Sequence, residues 1–342
     1  MAFAALAASG RTPQRGGWFP RFGGASSQPK SGKPNFGITR GTRYAMLTER
    51  RGPTIPDPPV NKSVILTCVS MLCFAANSLL CRLALAPDLI DPASFTTVRV
   101  LAASAMLAFV VWLRRRRGPS LSYAKPSSVA ALFGYLIFFS FAYTRLSAGT
   151  GALILFSAVQ LTMFGVALRE GERFSHPAWA GLAVAVAGLV YLVLPGLSAP
   201  DPLGAVLMAM SGASWGVFSL LARGVDHPIE ANASNFLCCL PLAAAINLVA
   251  GAQYHATPAG LALAIASGAI ASGLGYAVWY MALRGLTAAR AATVQLSVPA
   301  IAALGGVVLL AEPLSLRLLI ASAAVLGGIA IVLAQRARRK AG

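Results

Sequence analysis

Gly212-Ala213-Ser214-Trp215-Gly216 has the spacing Gly-x-Ser-x-Gly, in which a serine hydroxyl can act as the nucleophile of acyl transfer. Such a hydroxyl needs a base within hydrogen-bond reach. His176 opens an apolar segment and His227 and His255 lie between such segments, so no imidazole is expected at mid-segment depth. The strand-to-helix turn of a hydrolase elbow is missing too. The pentapeptide therefore reads as small residues that let one helix pack closely on another. Metal chemistry lacks a ligand pattern. Cys68, Cys73, Cys81, Cys238 and Cys239 all sit in apolar segments, with no Cys-x-x-Cys spacing and no companion His, and read as small core residues.

The carboxylates are informative by position. Glu49, Asp57, Asp88, Asp91, Glu170, Glu172, Asp201, Asp226, Glu230 and Glu312 each map to a tail, a loop or a segment edge. A buried carboxylate is the common proton relay of membrane pumps, and none is placed for that role. Glu172 and Glu312 stand at the entrances to the fifth and tenth apolar segments, where a carboxylate suits a helix N-terminus, and Pro313 suits a first turn. The polar groups left inside apolar segments are Asn77, Gln160, Ser214 and Gln295, which must face other helices or a cavity. Arg99 lies near the start of the second segment, where it can snorkel to the interface, pair with Asp91 or point into a vestibule.

These residues are carried by ten apolar runs, at about 63–84, 94–113, 126–145, 148–168, 176–195, 203–222, 231–252, 258–284, 288–311 and 315–335. A bilayer core of about 30 Å takes about 20 residues of helix. With 57% hydrophobic and 11% charged residues, the chain is an all-α membrane protein rather than a soluble domain. The runs are unalternated and twice the length of outer-membrane barrel strands. Ala264, Gly268 and Ser272, spaced by four, mark a close helix crossing.

The runs form two sets of five. Ser78-Leu79-Leu80-Cys81-Arg82 closes the first and Ser219-Leu220-Leu221-Ala222-Arg223 closes the sixth, 141 residues later. Leu146-Ser147-Ala148 through Glu172 matches Leu286-Thr287-Ala288 through Glu312 at an offset of 140. Five spans is an odd number, so the second copy enters from the opposite face: two inverted five-helix repeats, at 63–195 and 203–335. Aromatic residues repeat as well. Tyr135, Phe138 and Phe139 correspond to Tyr276, Trp279 and Tyr280, and Phe74 to Trp215. Trp215, Tyr276 and Tyr280 are candidates to line a cavity between the halves.

With the N-terminus inside, Lys and Arg fall on the inner segments and only Arg82, Arg99, Arg145 and Arg317 remain for spans and outer loops. Both termini are thus expected in the cytoplasm. This bias accounts for most of the net charge of +18 and removes it as an argument for nucleic-acid binding. Residues 1–62 form a basic Pro/Gly/Ser-rich tail expected to be disordered, and 336–342 a short basic tail. No acidic residue precedes Glu49, a composition shared with organelle transit peptides, and translation from Met46 is a further possibility.

The five-plus-five order, Glu172-Arg173-Phe174-Ser175 and Glu312-Pro313-Leu314-Ser315 before Gly-rich helices, Tyr280-Met281-Ala282-Leu283-Arg284 before Ala288, and Pro299 in the ninth helix resemble the drug/metabolite transporter superfamily, EamA type. The resemblance covers 63–335. It implies ten helices, cytoplasmic termini, and a central cavity lined by helices one, three, four, six, eight and nine, in proteins that move amino acids, metabolites or drugs, often outward. Two departures stand out: Val159 where the second copy has Pro299, and Phe74-Ala75-Ala76-Asn77 in place of the Trp-Gly pair at Trp215-Gly216. No Gly-x-x-x-x-Gly-Lys-Ser/Thr loop suggests ATP hydrolysis. The expectation is a non-enzymatic secondary-active or facilitative transporter, an exporter, in the cell membrane. It needs no cofactor or metal, its partners are a small-molecule substrate and the lipid bilayer but not nucleic acid, and it acts as a monomer or homodimer. Asn77, Gln160, Trp215, Tyr276, Tyr280 and Gln295 are the cavity candidates. A membrane-integral enzyme or a non-transporting scaffold are the alternatives.

Overall fold

The computed structural model describes residues 60–196, 199–223, 225–250, 254–286 and 288–341. The tail expected at 1–62 lies outside the described residues as far as 59, as do the transit-peptide and Met46 readings. Among the described residues, ten helices are long and apolar enough to cross a bilayer. They are α1 (Val60–Leu85), α2 (Pro92–Arg115), α3 (Pro126–Tyr143), α4 (Ala148–Arg169), α5 (His176–Val193), α6 (Pro202–Leu221), α7 (Pro228–Ala250), α8 (Pro258–Ala282), α9 (Ala288–Gln295 continued by Ser297–Leu310) and α10 (Leu316–Ala341).

Local chemistry sets many of these starts. Proline stands in the first turn of α2, α3, α5, α6 and α8, where its missing N–H costs nothing. The residue before it often caps: Asp91 accepts from the amides of Ala93 and Ser94, Asp201 from Gly204, and Thr257 from Gly260. Pro299 has no N–H to offer the carbonyl of Gln295, and α9 breaks at Leu296, whereas α4, with Val159 at the matching place, runs unbroken. The α10 helix continues through the basic residues expected to form a C-terminal tail, a composition of good helix formers with charges suited to a helix C-terminus.

The helices of one repeat pack mostly on those of the other. The α3 helix lies against α6 and, equivalently, α1 against α8; α4 meets α6 as α9 meets α1; α2 meets α7, and α5 pairs with α10. The central α4 is the most buried of the ten, while α5 and α9 are among the least. Outward faces carry Val64, Ile65, Leu101, Val184, Val308 and Leu309, each exposed, as a lipid contact requires. The inverted duplication is thus read twice, in sequence and in exchanged helix contacts.

Glycines make the tightest crossings possible. A Cβ at Gly212 would collide with the carbonyl of Leu155, and one at Gly216 would press on Thr162 at 3.0 Å, so the Gly-x-Ser-x-Gly run is the face that α6 offers to α4. Ser214 sits beside Gly134 of α3. A Cβ at Gly268 would collide with the carbonyl of Arg99, which places the Ala264-Gly268-Ser272 stripe against α2. There α8 widens into a π-helical stretch, Ser267–Leu274.

Candidate transport site

A polar cluster lies inside the bundle where α1, α2, α3 and α8 meet. The hydroxyl of Tyr135 on α3 accepts from Asn77 Nδ2 at 3.2 Å, from Arg99 Nη2 at 3.0 Å and from the Tyr276 hydroxyl at 3.4 Å. Ser267 donates to Asn77 Oδ1 at 2.8 Å, and Arg99 Nε donates to Ser272 Oγ at 3.4 Å. Both serines belong to the π-helical stretch of α8. The wider turn brings them to the cluster and sets Tyr276 just beyond it.

Arg99 does not behave as the snorkelling and pairing readings expect. Its side chain is fully buried, and Asp91 is occupied as the cap of α2 and by the amide of His255. The guanidinium instead lies over the ring of Phe139, 4.7 Å from its centroid, and 5.4 Å from that of Tyr135. Cation–π contacts of this kind are worth about 2 kcal/mol when desolvated. Among the described residues Nη1 has no hydrogen-bond partner.

Aromatic side chains cover the cluster. Trp215 stacks on Tyr276 with centroids 5.1 Å apart and packs on Tyr135 at 4.9 Å, while Phe74 packs on Tyr276 at 5.8 Å. Between them is a cavity of about 20 Å³, lined by Asn77, Ser78, Phe139, Leu155 and these aromatics, with room for about one water. Trp215 and Tyr276 also line a vestibule of about 440 Å³, with Phe218, Ser219, Trp279 and Tyr280, that reaches the loop joining α6 to α7. A neighbouring cavity of about 290 Å³ shares Phe218, Arg223, Asp226 and Tyr280 and extends beneath the start of α3. The Trp215–Tyr276 stack therefore stands between the vestibule and a small, largely aromatic cavity beside the polar cluster.

The opposite end of the bundle is tied shut. Arg82, at the end of α1, forms an ion pair with Glu312 at 3.1 Å, and its Nη1 donates to the carbonyls of Tyr143 and Thr144. Glu312 also accepts from the amide of Ala148, at 2.9 and 3.2 Å from its two oxygens. The helix N-terminus served by Glu312 is thus that of α4; α10, the helix expected from sequence, starts with Ser315 bonded to the amide of Leu318. On the same face Arg145 pairs with Asp201 at 3.4 Å and Arg317 donates to the carbonyl of Leu194. The loop after α1 bonds to the loop before α8, Asp91 with His255 and Thr257 with Leu89. All three arginines left for the outer side by the charge bias, apart from buried Arg99, serve this closure.

Of the six cavity candidates, Asn77, Trp215 and Tyr276 come together at the inner pocket, and Tyr280 joins Trp215 and Tyr276 in the vestibule. Gln160 and Gln295 line neither; Gln295 donates to the carbonyl of Ala291 in its own helix. Tyr135, Ser267 and Ser272 were not singled out as site residues. Tyr135 carries a signal, as the repeat mate of Tyr276. The serines do not, because their exposure to the cluster depends on the π-helical register. Cys81 and Cys239 are buried as expected of core residues, while Cys68 is exposed on the outer surface of the bundle. Among the described residues no group of His, Cys, Asp and Glu could hold a metal ion.

The EamA-like transporter family model matches residues 61–194 and again 202–334, one copy for each five-helix set. The chain belongs to the EamA-like transporter family. This EamA-like chain is 50% identical over 288 residues to an uncharacterized protein of Pseudomonas aeruginosa, covering 83% of this chain and 98% of the relative. It is 30% identical over 241 residues to an uncharacterized transporter of Archaeoglobus fulgidus, covering 65% and 80%. A crystal structure at 20% identity aligns with a TM-score of 0.58 over 81% of this chain and 99% of its own, which speaks to the fold alone. The protein is a multi-pass membrane transporter.

Proposed function

We propose that this transporter moves small organic solutes, metabolites, amino acids or drugs, by alternating access, as an exporter driven by secondary coupling or by the solute gradient. The observation that carries the reading is the one-sided opening: a 440 Å³ vestibule at one end and the Arg82–Glu312–Ala148 closure at the other. A cavity of that size suits a small organic ligand. The charge bias of the loops supports a cytoplasmic location for both termini in the cell membrane, with the vestibule facing inward. An exporter loads from that side. The repeat supports the opposite state as well. Arg223 and Glu172 are the mates of Arg82 and Glu312, and exchanging the conformations of the halves would bring them into the equivalent inner closure.

Counterflow of radiolabelled amino acids and organic acids in proteoliposomes tests the reading. Trp215→Ala and Tyr280→Ala are expected to lower the rate about tenfold or more, as truncation of buried aromatic contacts does. Gln160→Ala is expected to stay within about twofold, as a side chain outside the cavities should. Absence of counterflow for every solute in the pool, from protein that is folded, would contradict transport.

A further inference from the structure

We infer that Arg99 anchors the carboxylate of a small amphipathic organic anion, admitted from the vestibule past the Trp215–Tyr276 stack; this rests on the transporter reading. The cluster around Arg99 has donors in excess. Three donors converge on the Tyr135 hydroxyl, which offers two lone pairs. The carbonyl oxygen of Asn77 is taken by Ser267, and among the described residues the only other acceptor of Arg99 is the hydroxyl of Ser272 and Nη1 has none.

Charge is unbalanced in the same direction. Arg82 pairs with Glu312, Arg115 with Glu230 and Arg145 with Asp201, and none of these ion pairs includes Arg99. A guanidinium remains protonated in any protein environment, so its positive charge is buried against neutral hydroxyls and ring faces. Buried charges are ordinarily paired. The missing component is thus a group with negative charge and several acceptor sites, and a carboxylate supplies both, in a geometry that the guanidinium fork can grip at two points.

The rest of the ligand is defined by what surrounds the pocket. Phe74, Phe139, Trp215 and Tyr276 line the cavity, which holds about one water, and Arg99 lies outside this lining, over Tyr135 and Phe139, so the anion reaches the guanidinium only when these side chains part. The rings favour an apolar, preferably planar body beside the carboxylate. Arg99 repels a cation at the same position, and a neutral solute can accept a bond from the guanidinium but gains neither the ion pair nor the two-point grip.

Phenylacetate, 2-phenylethanol and phenethylamine share one ring and differ in the charge of the terminal group. Their binding to the purified full-length protein, read by tryptophan fluorescence and by thermal shift, tests the inference. Phenylacetate is expected to bind about tenfold or more tighter than 2-phenylethanol, the factor that one charge-assisted hydrogen bond provides, and phenethylamine weakest. Arg99→Gln is expected to erase that preference and Arg99→Lys to keep part of it. Equal response to all three probes, or a preference for phenethylamine, overturns the anion assignment while leaving transport standing. So does an undiminished phenylacetate preference in Arg99→Gln. If that variant fails to fold, the wild-type comparison decides alone. No response to phenylacetate in a protein that shows counterflow of other solutes likewise overturns it.

Discussion

The hydroxyls of Tyr135 and Tyr276 meet at 3.4 Å although 141 residues separate them. That separation equals the repeat offset, so equivalent residues of the two inverted halves touch at the pseudo-two-fold axis. Their neighbours obey the same symmetry: Trp215 packs on Tyr135, and its mate Phe74 packs on Tyr276. The symmetry stops at charge, because Arg99 and Asn77 both donate to Tyr135 and neither donates to Tyr276.

This asymmetry predicts unequal effects of two matched substitutions. Tyr135→Phe leaves buried Arg99 Nη2 and Asn77 Nδ2 without their acceptor and is expected to cost about 1–3 kcal/mol. Tyr276→Phe keeps the stack on Trp215, removes a single long bond and is expected to cost about 1 kcal/mol or less. Thermal unfolding in detergent compares them; equal losses would show that Tyr135 is not the shared acceptor.

The Arg82–Glu312 closure, outward-facing under the proposed orientation, makes a second prediction. Arg82→Ala removes the ion pair with Glu312 and the bonds to the carbonyls of Tyr143 and Thr144. A charge-assisted contact is worth about 1.5–3 kcal/mol, so the outward-open population is expected to rise about tenfold or more. Ser78→Cys, buried in the inner pocket, reports it in a background without the native cysteines. Its reaction with an impermeant maleimide added from outside should accelerate by that factor, and an unchanged rate would count against Arg82 as a latch.

The α5–α10 pair gives a third. A Cβ at Gly181 would lie 2.6 Å from the carbonyl of Gly328, and one at Gly328 would collide with the carbonyl of Gly181. Valine at either site is expected to destabilise the fold by about 1–3 kcal/mol through overpacking. Gly165→Ala and Gly327→Ala meet nothing within 4 Å and are expected to be neutral or stabilising by up to about 1 kcal/mol. Unfolding temperatures that fail to separate these two groups would refute the close crossing.

Much of this architecture was legible in the sequence because its causes are local or periodic. Apolar length marked the helices and the 141-residue offset marked the inversion, whereas Pro313, read as a first-turn residue, lies ahead of α10, which begins at Leu316. Pro299 against Val159 was visible as a departure between the copies, and the break it causes in α9 but not in α4 appears only in the structure. Asn77, Trp215 and Tyr276 were found as polar or amphipathic groups in apolar surroundings. What stayed hidden depends on helix rotation and tertiary partners. Arg99 was read by its depth, which suits snorkelling, but its rotation about α2 aims it at Tyr135 and Phe139. Glu312 was read by its neighbours in sequence, yet the helix it serves begins at Ala148. Ser267 and Ser272 join the site only through the π-helical turn, which leaves no mark in hydropathy.

Reciprocal motion at the two ends is the central claim, and paired spin-label distances test it most directly. One pair of labels at Ala86 and Leu314 reports the closed outer face, and another at Ala222 and Leu283 reports the vestibule. In the cysteine-free background, Arg82→Ala is expected to lengthen the first distance and shorten the second, because opening one face of an inverted repeat closes the other. Distances that stay fixed, or that lengthen together, would contradict alternating access.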